Sequence, residues 1–100
     1  MDCNNYNELK TTVEGIANQY FASLKILSES TKGKKKEALF VNRVKTAYAQ
    51  LDGLEQRIIN NEFFYQDYPN WWKHKYCKST FYRIKKKSMV NFLEAFEHAQ

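Results

Sequence analysis

Three glycines and one proline in a chain of 100 residues set the strongest limit on its fold. Hairpins and tight loops need residues that reach positive φ or pre-set a turn, and this chain supplies few of them. Long helices with few connections are therefore expected. A hydrophobic share of 43% and an aromatic share of 16% are enough for one modest core. No stretch of useful length alternates polar and apolar residues as a half-buried strand would. The expected fold class is all-α, a small domain of about five helices.

Apolar residues at three- and four-residue steps locate the helices. Leu9, Val13, Ile16, Tyr20, Leu24 and Leu27 make one stripe, predicting a helix over about 5–28. "SESTKGKKK" (28–36) then breaks the pattern with Gly33 and a charge run. A second helix begins near Lys35, with Leu39, Val41, Val44, Tyr48 and Leu51 in register up to the turn dipeptide Asp52-Gly53. A third covers Leu54 to about Tyr65, burying Leu54, Ile58, Ile59, Phe63 and Phe64, and Pro69 ends it. A short fourth helix is expected in "NWWKHKY" (70–76), capped by Asn70 or Asp67. A fifth begins at Cys77 to Ser79 and runs to Glu97. On this reading residues 1–34 form an N-terminal helix and basic hinge, and 35–100 form a helix-turn-helix domain.

Charge is segregated along the chain. Net charge is +5, yet from Lys73 to Lys87 there are seven Lys or Arg and no acid. The segment Asp52 to Asp67 holds four acids against Arg57 alone, and "KGKKK" (32–36) adds a second basic cluster. Such separation is an electrostatic footprint for an anionic partner, nucleic acid first. On the last helix, steps of about 100° place Phe81, Ile84, Ser88, Met89, Phe92, Ala95 and Phe96 on one side. Thr80, Arg83, Lys86, Lys87 and Val90 fall on the other. Lys85 lands near the apolar side, where its stem packs while its ammonium reaches out to water.

A short helix, a tight connection and a basic second helix describe a helix-turn-helix unit, whose second helix enters the major groove. The candidate nucleic-acid contacts are Lys78, Ser79, Thr80, Arg83, Lys86 and Lys87. Ser79 and Thr80 suit phosphate or base edges, Arg83 has the planar fork that matches guanine, and Lys86 and Lys87 neutralise phosphates. Secondary basic contacts are Lys34, Lys35, Lys36, Lys73 and Lys75. The 32–36 cluster reads first as a mobile linker, though a flexible basic arm also adds phosphate contacts without sequence preference. Trp71 and Trp72 read as core residues rather than stacking platforms. His74 reads as a surface residue and Cys77 as a helix-start residue.

"CKSTFYRIKKKS", preceded by "AYAQLDGLEQRIINNEFFYQDYPNWW", resembles the C-terminal part of sigma-factor region 4 and of phage late-gene activators of the ArpU and RinA type. The matching residues are Leu51, Glu55, Ile58, Ile59, Thr80, Phe81, Tyr82, Arg83, Lys86 and Lys87, within about 44–93. The resemblance implies DNA contact by Thr80, Arg83, Lys86 and Lys87, and a core role for Phe81 and Ile84. The family places a small Ala in the helix before the turn, where this chain has Trp71 and Trp72.

Other functions are disfavoured. Two histidines, no phosphate-cradling glycine loop and no convergent set of nucleophile, base and stabiliser argue against an enzyme. Cys3 and Cys77 show no metal-ligand spacing, so neither metal nor cofactor is expected. No apolar run of about 18 residues exists, and the polar N-terminus lacks the marks of a targeting segment, so a cytoplasmic chain with no membrane partner is expected. The expected function is a DNA-binding transcriptional regulator, with self-association through the N-terminal helix a further expectation. The alternative is a protein-interaction module that contacts RNA polymerase or a partner regulator, with the acidic 52–67 segment as a second surface.

Overall fold

A computed structural model of the chain describes residues 3–29, 33–66 and 70–99, and the side chains from residue 5 onward. Among these residues the fold is all-helical, with no strand. Four helices follow in order: α1 (Cys3–Glu29), α2 (Lys35–Ala49), α3 (Gly53–Ile59) and α4 (Lys78–His98). A π-helical turn, Asn60–Phe64, continues α3 directly.

The N-terminal stripe buries as its spacing predicts. Val13, Ala17 and Tyr20 are buried, with Leu9, Ile16, Leu24 and Leu27 packed around them. Between α1 and α2 the backbone turns through Gly33 at φ 68°, a left-handed conformation that glycine adopts without steric cost. On α2 the buried residues are Val41, Val44 and Ala47, and Phe40 packs beside them. Leu39, expected on that stripe, is instead 56% exposed. Two helical steps from Val41 turn its side chain about 200° away.

A capping box starts α3. Asp52 accepts a hydrogen bond from the Glu55 amide at 2.8 Å, and Glu55 Oε1 accepts one from the Asp52 amide at 3.2 Å. Each side chain satisfies one amide that the helix leaves open. The helix then widens: the Tyr65 amide donates to the Asn60 carbonyl at 3.0 Å, a five-residue step. Ile59, Phe63 and Phe64 lie four and five residues apart, and the widened turn lets both aromatics reach the core that Ile59 enters. Gln66, at φ 38°, ends the segment. The predicted end at Pro69 and the predicted cap at Asp67 lie outside the described residues.

The expected fourth helix over 70–76 is not formed, so the helices among the described residues number four rather than about five. Asn70 sits at φ 60°, and successive turns close from Lys73 to Asn70 and from Lys75 and Tyr76 to Trp72. Both indoles pack on Phe81, and the bonds that close are isolated turns rather than a repeating helical ladder. The connection from α3 to α4 therefore runs from Tyr65 to Cys77, longer than the three- or four-residue turn of a helix-turn-helix.

The core has two parts. The larger joins Val13, Ala17, Tyr20, Val41, Val44, Ala47, Leu51, Ile59, Phe63, Met89 and Phe92, and so takes residues from both sides of the 34–35 boundary. The smaller joins Ile58, Trp72 and Phe81, with Trp72 stacked on Phe81 at 4.2 Å between ring centroids and an interplanar angle of 6°. Both indoles thus serve the fold, Trp72 wholly and Trp71 in part. The smaller core fastens the turn segment to the first turns of α4.

Candidate nucleic-acid interface

The basic surface is set by how α4 seats itself. Phe81, Lys85, Ser88, Met89 and Phe92 are buried, and these positions define one side of the helix. Ser88 is reconciled with burial by donating its hydroxyl to the Ile84 carbonyl at 2.9 Å. The opposite side is therefore presented to water. Ser79, Arg83 and Lys87 recur there at four-residue steps, and all three are exposed. Lys78 is exposed beside them, while Thr80 and Lys86 are half-buried at the margins. Lys73 and Lys75 are exposed on the adjoining turn. Six of the predicted contacts and two of the secondary ones thus gather around the start of α4.

The run Lys85 to Lys87 divides. Lys85 does not reach out to water as expected: its side chain is 7% exposed, and its ammonium is 3.0 Å from Glu62 Oε1. Rings of Phe63, Tyr82 and Tyr6 surround that ammonium, with centroids 5.3, 5.6 and 6.0 Å away. Burial lowers the pKa of Lys85, but the hydrogen bond and charge of Glu62 outweigh it, and the net shift is upward. Lys85 is a structural cation and contributes nothing to the outer face.

Glu62 is the residue that sequence reasoning missed. Its second oxygen accepts the indole N–H of Trp71 at 3.2 Å. One carboxylate thus joins the π turn, the tryptophan turn and α4. Glu55 is buried too, and its second oxygen accepts from the Asn91 side chain. Of the four acids in the acidic segment, Glu55 and Glu62 face inward, exposed Asp52 caps α3, and Asp67 lies outside the described residues. Glu62 is matched by the inward Lys85, so only Glu55 is withdrawn from the exterior without a cation.

The start of α4 is electrostatically unusual. Its first turn holds no acid, and Cys77 occupies the cap position without a capping hydrogen bond from its side chain. Cations near a helix N-terminus are disfavoured by the macrodipole, while anions are favoured there. The exposed Cys77 thiol is lowered to about 7, chiefly by the Thr80 hydroxyl 3.1 Å away, with the Ser79 hydroxyl adding to it. Glu94 and Glu97 are exposed near the other end, so α4 is basic at its start and acidic at its close.

The second basic cluster does not join this surface. Lys35 and Lys36 are exposed in the first turn of α2, with Lys34 half-buried at its cap; Lys32 lies outside the described residues. Lys36 lines a cleft with Ala99, and Arg43 donates to the Phe96 carbonyl at 2.7 Å. The start of α2 therefore lies beside the end of α4, roughly 30 Å along the helix from Lys78. Among the described residues no helix is long and apolar enough to cross a membrane. No protein-family model matches the chain, and no curated protein or solved structure matches it.

Proposed function

We propose that the chain is a DNA-binding transcriptional regulator that lays the exposed side of the first half of α4 into duplex DNA. The observation that carries this reading is the ridge of Ser79, Arg83 and Lys87, flanked by Lys78, Lys73 and Lys75 and free of acids. Uncompensated cations at the positive end of a helix lower its stability, so an anion that neutralises them is the natural complement. Arg83, central on the ridge, has the fork that reads guanine, and Lys87 would serve phosphates. The likeness of "STFYRIKKKS" to sigma-region-4 and ArpU- or RinA-type activators agrees with this use of α4. In this reading the turn at 70–75 takes the place of the first helix of a helix-turn-helix, presenting Lys73 and Lys75 to the backbone.

Retention on duplex DNA across a salt series tests the proposal. Binding is expected at about 50 mM salt and should fall steeply as salt rises. Lys87→Ala should weaken all sequences alike and reduce the salt slope by about one. Arg83→Ala should cost about 1–3 kcal/mol and relax base preference. No retention at about 50 mM salt would overturn the reading.

A second reading, contact with RNA polymerase or another protein, draws on a different surface. Leu39 is 56% exposed on α2 beside the cleft lined by Phe40 and Arg43. Pull-down of polymerase that Leu39→Ser abolishes, without DNA retention, would favour it.

A further inference from the structure

Beside the start of α4, a separate polar cleft of about 540 Å³ opens between α3 with its π turn and the tryptophan turn. Arg57, Asn60 and Asn61 line one wall, Trp71 and Lys75 the other. No carboxylate lines it. Arg57 and Lys75 enter no ion pair, and the Asn60 and Asn61 side chains have no hydrogen-bond partner among the described residues. Trp71 is held in place, its N–H on Glu62 and its ring edge-on to Phe81 with centroids 6.0 Å apart.

We infer that this cleft takes one unpaired nucleotide of a nucleic-acid strand. Each feature matches a part of that ligand. A fixed indole offers a stacking surface to any base at little entropic cost. Two unpaired side-chain amides each carry a donor and an acceptor, which suits the polar edge of a base. Two cations on opposite walls suit the flanking phosphates. A peptide carboxylate would meet Arg57 or Lys75 but leave the two side-chain amides unmatched. A free mononucleotide shares the chemistry, but Lys75 leads directly to Lys78 and the ridge of α4, so a strand continuing from the cleft meets further cations. The assignment goes beyond the duplex reading and extends it to a strand end, a bubble or a junction.

Titrating the full chain and watching its two indole N–H resonances by NMR tests the inference. Trp71→Phe assigns the signals while keeping an aromatic in the smaller core. A ten-residue oligothymidylate should shift the Trp71 signal in a saturable way and leave the Trp72 signal nearly unmoved. A blunt duplex, bound through α4 and Lys73, should shift the Trp71 signal far less than the single strand does. Trp71→Leu should weaken the single strand by roughly tenfold, and Asn61→Ala should weaken it while leaving duplex affinity at the same salt unchanged. Circular dichroism confirms that each variant is folded. Binding of the single strand with an unmoved Trp71 signal overturns the assignment, as does duplex binding with no single-strand binding. Thymidine monophosphate bound as tightly as the oligomer overturns the strand and leaves a nucleotide pocket. If neither nucleic acid binds, the duplex reading fails together with this one. Single-strand binding alone would sink only the duplex reading.

Discussion

Glu62 shows how much one side chain decides here. Its two oxygens meet the Lys85 ammonium and the Trp71 indole, and the Lys85 side chain is only 7% exposed, so little water replaces its lost partner. Glu62→Ala leaves the Lys85 charge buried and unpaired, which should cost about 3–5 kcal/mol. That is a large part of the stability of a small domain, and a urea titration will show it as a lower midpoint. The double change Glu62→Leu with Lys85→Met removes both charges and should restore most of the loss. An equal loss in the double variant would show that the pair is not what holds the segment. Lys85 stands out in the sequence by its place near the apolar side of the last helix, but nothing in the spacing from 62 to 85 says that it meets Glu62.

At the scale of elements, the caps and faces carry the fold. Asp52 begins α3 by accepting the Glu55 amide, so Asp52→Ala should cost about 0.5–2 kcal/mol by thermal unfolding, while Asp52→Asn should cost far less. How much of this was legible varies from element to element. The stripe of α1 and the buried side of α4 follow from 100° steps, and so do the outward positions of Arg83 and Lys87. The π turn left a trace in the five-residue step from Ile59 to Phe64. The polar row Arg57, Asn60, Asn61 also recurs at helical spacing, but it points to a cleft only once Trp71 and Lys75 are brought opposite. The tryptophan turn was misread as a helix, because spacing alone does not register the left-handed backbone at Asn70. Leu39 was misplaced because Leu39 and Val41 are too close in sequence to share a helical face.

Across the whole molecule, the buried titrating groups shift upward, while the exposed Cys77 thiol shifts downward. Burial raises the pKa of Tyr20 and Tyr48, and that of Tyr6 against an opposing effect from Lys85. Lys85 is raised by Glu62 despite its burial. Folded-state values above the unfolded ones mean that the native chain keeps protons the unfolded chain releases, so stability falls as pH rises through that window. The unfolding midpoint should not fall between about pH 7 and 9, where the lowered Cys77 thiol adds stability, and should drop from about pH 10 upward. A midpoint level to about pH 11 would contradict these shifts. The molecule is elongated, 48 by 27 by 23 Å, with its two core clusters sharing α4. That arrangement gives the doubly engaged carboxylate a kinetic meaning. The tryptophan turn cannot peel away alone, since its departure strips Glu62 of one partner and admits water to the other. Turn and helix start are therefore one cooperative unit, released together or not at all, and the surface that carries Arg83 exists only while both are closed.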